Sequence, residues 1–299
     1  MSCILAVAQN VVGIILAKVM GIHEIFGIIA GATTLMGGLG TGGAFGPLFE
    51  SWGVQGATVA AIACATFGMV AGILMGGPFG EWCIKKYNIK TPADEGIHVK
   101  EGESFGAAEE GCITGNTLMK NLAFVVVAMG FGSILSFYFT EAGLTFPAYI
   151  GAMLMAAILR NCTDFVGDFK IDNKAVDIIS DISLSIYITM AINGLKLWEL
   201  VNLAIPLLII LAGQIILMFL FCWLVVFYVA GRDYEAMMLS VGMIGFGMGA
   251  VPNALVNMQT LSQKYGPAPR AFFIVPLIGA FLIDFVNAII ITVMANLYR

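Results

Sequence analysis

Charge is scarce in this chain. Only 11% of its 299 residues are Asp, Glu, Lys or Arg, against about 25% in a soluble domain. A soluble fold of this length needs far more polar surface to cover its core. That shortage excludes an ordinary cytosolic enzyme. A hydrophobic content of 60% excludes a disordered chain. A net charge of −5 leaves no basic footprint for nucleic acid. Histidine is rarer still, with only His23 and His98, which gives a haem or zinc site little to work with. The six cysteines are scattered, with no pair at metal-clip spacing, so they read as small core residues and not as a disulfide or zinc framework. No GxSxG, DDxxD-type or Walker sequence occurs, and no second intramembrane Asp is available for an aspartyl dyad. The chain reads as no enzyme, with no organic cofactor.

Long apolar runs are what the chain has instead, with a mean hydropathy of +0.95. The fold class is all-α, polytopic and embedded in a lipid bilayer. Runs of about 17–25 residues predict seven crossings at 3–20, 56–78, 121–139, 145–159, 182–198, 203–229 and 271–296. Residues 3–17 lack a basic n-region, so they read as a span and not as a signal peptide. Threading these spans places 11 of the 14 basic residues on one side. The excess of Lys and Arg makes that side the cytoplasm. The bilayer is then the inner, cytoplasmic membrane.

Glycine is abundant, at 36 residues, and its clustering carries more information than its number. Two segments, 24–52 and 234–262, each read as an apolar half-helix, a Gly-rich break and a second half-helix. Neither is long enough to cross twice, so both are expected as re-entrant hairpins or helices broken in mid-membrane. The first break runs Gly37-Gly-Leu-Gly-Thr-Gly-Gly-Ala44; the second runs Gly245-Phe-Gly-Met-Gly-Ala250. They lie about 210 residues apart, and the crossing count places them on opposite sides. This predicts two inverted repeats: 1–79, whose hairpin is 24–52, and 121–299, whose hairpin is 234–262, joined by a cytoplasmic linker at 80–120. Paired Gly-interrupted segments in inverted halves point to a secondary transporter with its site near the midplane. Close helix packing is the other reading of a single glycine cluster.

A helix broken in the membrane bares N–H groups at one half and C=O groups at the other, which survive only inside protein or beside water. The N–H end suits a carboxylate and the carbonyl end suits Na⁺. Gly38, Gly40, Thr41, Gly42, Gly247, Gly249 and Asn253 are therefore the candidate substrate-binding residues. Asp284 is the one acid midway along a span, which makes it a functional candidate by default; a protonated Asp bonding a neighbouring helix is the alternative. Asn287 shares its helical face. With Asn257 and Thr33 these form the candidate Na⁺ set. Each Thr could equally be a helix residue bonded to its own backbone.

At these residues the chain resembles the sodium/glutamate symporter family. The stretches that carry the likeness are GATTLMGGLGTGGAFGPLFE at 31–50, ACATFGMVAGILMGGP at 63–78, SLSIYITMAINGLKLWEL at 183–200, GFGMGAVPNALVNMQ at 245–259 and YGPAPRAFFIVPLIGAFLIDFVNAII at 265–290. The resemblance implies Na⁺-driven uptake of glutamate or a similar acidic amino acid, two inverted repeats, a homodimer, and a moving core against a static scaffold. It also implies further spans ahead of residue 3, so the first repeat reads as truncated. The competing expectations are a Na⁺- or H⁺-coupled carrier of another organic anion, and a truncated, transport-incompetent membrane subunit.

Overall fold

The computed structural model describes residues 1–96, 114–141, 149–166, 171–193, 197–279 and 283–298. Among these, all regular structure is helical. The chain divides into two compact units: Met1–Ala107 with Lys196–Arg299, and Ala108–Leu195.

The first unit holds both Gly-broken segments. Helix α1 (Ser2–Val19) leads to α2 (Glu24–Ile28), which runs into a π turn at Ile29–Thr33. After a short break, α3 (Gly38–Ser51) continues to the long α4 (Ala57–Tyr87). The second half of this unit begins with another long helix. Helix α8 (Leu197–Phe221) passes through a π turn at Cys222–Val226 into α9 (Phe227–Val229). Then come α10 (Tyr234–Gly247), α11 (Val251–Tyr265), α12 (Pro269–Leu277) and α13 (Ile283–Asn296). Local chemistry fixes the starts of α2 and α10. His23 and Asp233 cap α2 and α10 through their side chains, satisfying an otherwise orphaned N–H. Tyr234 donates its hydroxyl to the Gly266 carbonyl at 2.6 Å and ties the two ends of the second hairpin together.

Helix α4 is the centre of this unit. Gly68, Gly72, Gly76 and Gly80 recur every four residues and are all buried, so they lie on one face. That face receives the second hairpin. A Cβ at Gly72 would lie 3.3 Å from Met248 Cβ, one at Gly76 would collide with the Asn257 side chain, and one at Gly80 would meet Leu261 and, at 3.1 Å, Val241. The stripe lets helices approach as only small residues allow.

The second unit contains α5 (Gly115–Glu141), α6 (Tyr149–Val166) and α7 (Asn173–Asn193). Helices α5 and α6 cross where Gly132 meets the backbone of Ala152 and Gly151 meets Ser136. Asn121 accepts from the Asp172 amide at 3.2 Å and closes α7 onto α5.

Four helices of the described residues are long and apolar enough to cross a membrane: 2–19, 57–87, 115–139 and 203–229. Large apolar side chains stand exposed along them, including Ile4, Leu74, Phe137 and Ile216, as lipid contact requires. The other three ranges predicted as spans, 145–159, 182–198 and 271–296, overlap α6, α7 and the α12–α13 pair, which are not among these four. The segment 160–181, which reads as a loop, is helical at both ends, in α6 and α7. Likewise the stretch 80–120 is not all linker. Helix α4 continues through Pro78 to Tyr87, a 3₁₀ turn covers Pro92–Glu95, and α5 begins at Gly115. Much of that stretch, 97–113, lies outside the described residues.

Candidate functional site

The two chain breaks meet. Gly38 adopts φ +66, a left-handed conformation that costs other residues about 1–2 kcal/mol. A Cβ added there would lie 3.1 Å from the Gly249 carbonyl oxygen. In the second hairpin, α10 ends at Gly247 and the chain is extended at Ala250, with φ −159 and ψ 166, before α11 restarts. Pro252 occupies the first turn of α11, where a missing N–H costs nothing. Gly68 of α4 lies under both breaks: a Cβ there would stand 2.6 Å from Leu35 Cδ2 and 2.6 Å from the Met248 carbonyl.

Two helix starts therefore converge, and neither carries a side-chain cap: α3 begins after Gly37 and α11 after Ala250. Such starts bear partial positive charge and N–H donors. Around the junction, Thr41 is half-buried and packs on Gly37, its amide reaching the Gly37 carbonyl at 3.4 Å. Asn253 packs on Gly249 and donates Nδ2 to the Met69 carbonyl of α4 at 3.1 Å. Gly40 is exposed, with open space where a Cβ would be. Gly42 faces Thr34 and Ala61 instead. Gly247 turns towards α1 and α8, its carbonyl accepting Gln9 Nε2 at 2.8 Å and Met218 covering its Cα. Of the seven candidate substrate residues, Gly38, Gly249, Asn253 and Thr41 gather at the junction, with Gly40 beside them in the first turn of α3.

The first break has a second centre, about two turns earlier. Gly31 is non-helical, with φ −98 and ψ −137, and releases the backbone of Ala32 from the helix ladder. Two asparagines bond this residue's backbone, whose carbonyl also accepts from the Gly37 amide at 3.1 Å. Asn10 Oδ1 accepts from the Ala32 amide at 2.9 Å, and Asn287 Nδ2 donates to the Ala32 carbonyl at 2.9 Å. Beyond them, Gln214 Nε2 donates to the Gln9 carbonyl at 2.7 Å. All four amides are buried. Asn287 Oδ1, Thr33 Oγ1, Gln9 Oε1 and Gln214 Oε1 are buried without a hydrogen-bond partner among the described residues, as is the donor Asn10 Nδ2. Orphaned buried oxygens cost about 1–3 kcal/mol each.

The four candidate Na⁺ residues do not form one cluster. Asn287 and Thr33 flank Ala32. Asn257 is engaged elsewhere, donating Nδ2 to the Gly72 carbonyl of α4 at 2.9 Å. Asp284 lies in the first turn of α13, one turn before Asn287, and is exposed. Sequence reading missed Gln9, Asn10 and Gln214. Their signal was present: amide side chains inside apolar spans are costly, and those at 9, 10 and 214 stand in such runs.

Comparison with known proteins adds an independent finding. A profile of the sodium/glutamate symporter family matches residues 1–267. The chain is 38% identical over 291 residues to a sodium/glutamate symporter of Escherichia coli K12, covering 96% of this chain and 72% of that one. The same figures hold for the Shigella flexneri protein of that name. The Haemophilus influenzae counterpart is 37% identical over 295 residues, covering 98% and 73%. No solved structure matches the chain.

Proposed function

This chain belongs to the sodium/glutamate symporter family, and on that premise we propose that it carries glutamate together with Na⁺ across the cytoplasmic membrane, working as a homodimer of inverted repeats. It is an integral membrane transporter and not an enzyme. The observation that carries the substrate assignment is the meeting of two uncapped half-helix starts at Gly38 and Gly249. Each start favours an anion by up to about 2 kcal/mol in partly buried geometry. Two of them suit a solute with two carboxylates. Thr41 and Asn253 add a hydroxyl and an amide beside them, Gly40 and Gly42 carry no side chain of their own in the first turns of α3, and Gly247 ends the opposing half-helix.

Na⁺ belongs, in this reading, at the break beside Ala32. Asn287 Oδ1 and Thr33 Oγ1 are neutral, buried and unpartnered, the hard-oxygen chemistry that cation prefers. Gln9 and Gln214 present further oxygens of the same kind. Asp284, one turn ahead on α13, supplies the negative charge. Asn257 acts through α4, holding the second hairpin against Gly72. Coupling follows from chain continuity. Thr33 precedes Gly38 by five residues, so a cation fixing Thr33 also fixes the start of α3 that faces the substrate. The cation drives transport only if it binds one conformation better than another.

The test is uptake by the purified chain in liposomes. A Na⁺ gradient should drive labelled glutamate inwards, and replacement of Na⁺ by K⁺ should stop it. Uptake driven equally by a proton gradient, or competed as well by a dicarboxylate lacking the amine as by glutamate, would replace this reading with that of another organic-anion carrier.

A further inference from the structure

The outer flank of α4 carries a second set of interactions, away from the chain breaks. Helices α4 and α8–α9 run side by side in the same direction. Phe79 meets Phe219 edge-on at 5.5 Å, Trp82 meets Trp223 at 5.3 Å, and Tyr87 meets Phe227 at 5.0 Å. Hydrogen bonds lock these rings: Trp223 Nε1 donates to the Tyr87 hydroxyl at 2.8 Å, and the hydroxyls of Tyr87 and Tyr228 lie 3.2 Å apart. Two cations lie on the ring cluster. Lys86 Nζ stands 4.2 Å from the Trp223 ring centre and 4.4 Å from that of Trp82, and the Arg232 guanidinium stands 4.0 Å from that of Tyr228. Both are exposed, and neither is paired with a carboxylate among the described residues.

Deeper along the same seam is an apolar groove of about 340 Å³, lined by Phe67, Val70, Ala71, Leu74, Met75 and Ile215. From Met75 to Lys86 the helix rises about 16 Å, close to the half-thickness of a bilayer's hydrocarbon core, about 15 Å. The cations thus stand at headgroup depth when the groove stands at acyl depth. Trp and Tyr with paired hydroxyl and indole groups belong at that interface. Two unpaired cations there call for an anion, and the groove calls for a hydrocarbon chain attached to it.

We propose that the α4–α8 seam binds one anionic phospholipid, its phosphate between Lys86 and Arg232 and an acyl chain in the groove. The proposal requires α4 and α8 to span a bilayer and is independent of which solute the breaks hold.

Trp82 and Trp223 report on it directly. In a full-length background carrying Trp52→Phe and Trp198→Phe, reconstituted in phosphatidylcholine, their fluorescence is titrated with brominated phosphatidylglycerol or brominated phosphatidylcholine. Each basic residue near an anionic surface favours the anionic lipid about fivefold, so two predict half-quenching at about 30-fold lower mole fraction of phosphatidylglycerol. Lys86→Gln with Arg232→Gln should abolish the preference and leave glutamate uptake in phosphatidylcholine vesicles unchanged. Lys86→Arg with Arg232→Lys should keep the preference. Equal quenching by both lipids, or a preference that survives the double Gln variant, overturns the proposal. So does the absence of quenching by either lipid, which would mean that another copy or another part of this chain covers the seam.

Discussion

Gly68→Ala separates close approach of the two breaks from ordinary helix packing. Taken alone, the change favours the helix by about 1 kcal/mol. In place, the new methyl would sit 2.6 Å from the Met248 carbonyl oxygen and 2.6 Å from Leu35 Cδ2. Restoring van der Waals distance moves one or both breaks by roughly 0.8 Å, and overpacking of this kind costs about 1–3 kcal/mol. Because the strain falls on the junction, it lowers the substrate-competent population about 5- to 150-fold. The assay is the initial rate of Na⁺-driven glutamate uptake at equal reconstituted protein. Gly77→Ala is the control, since it is on the same helix and no heavy atom lies within 4 Å of its Cβ position; its uptake should match the parent chain. Adding Leu35→Ala to Gly68→Ala should recover part of the rate, because the carbonyl contact remains. A Gly68→Ala chain that transports like Gly77→Ala would refute the reasoning.

Further outcomes follow from the same geometry. Gly38→Ala must hold φ +66 with a side chain, at about 1–2 kcal/mol, and should reduce uptake about tenfold without loss of protein from the membrane, as judged by immunoblot. Asn287→Ala removes one of the two donors to the buried Ala32 carbonyl, leaving the Gly37 amide, and removes the unpartnered Oδ1, at about 1 kcal/mol for the lost hydrogen bond; the Na⁺ concentration for half-maximal uptake should rise more than the KM for glutamate. Asp284→Asn should also raise the Na⁺ requirement, and an unchanged Na⁺ dependence would remove Asp284 from the cation site.

The half-helices and their glycine breaks were legible because their signals are local. The segments 24–52 and 234–262 correspond to α2–α3 and α10–α11, bounded by the caps His23 and Asp233 and interrupted at clustered glycines. The pairing of their breaks is a contact between residues far apart in the chain, Gly38 and Gly249, and no local pattern specifies it. Asn257 illustrates the same limit. As a carboxamide near a break it resembled a cation ligand, yet its partner is the Gly72 carbonyl on α4. The bounds 145–159 and 182–198 differ from those of α6 and α7 for another reason. Hydropathy reports suitability for lipid, and charged residues such as Arg160, Lys174 and Asp177 lowered it while leaving the helices α6 and α7 intact. Gln9, Asn10 and Gln214 lie far in sequence from either glycine break or from each other's partners, so no local pattern ties them to the site, although a buried amide also needs a partner.

Protection of a thiol at the junction tests the central claim most directly. Gly40→Cys places a sulfur where the space is open, in the first turn of α3. In a chain whose Cys3, Cys112 and Cys162 are replaced by Ser, a water-soluble maleimide should label it readily. Glutamate with Na⁺ should slow that labelling at least about tenfold, a difference of about 1.4 kcal/mol, while glutamate with K⁺ should not. Labelling at one rate in all three conditions would contradict a glutamate site at the meeting of the two breaks.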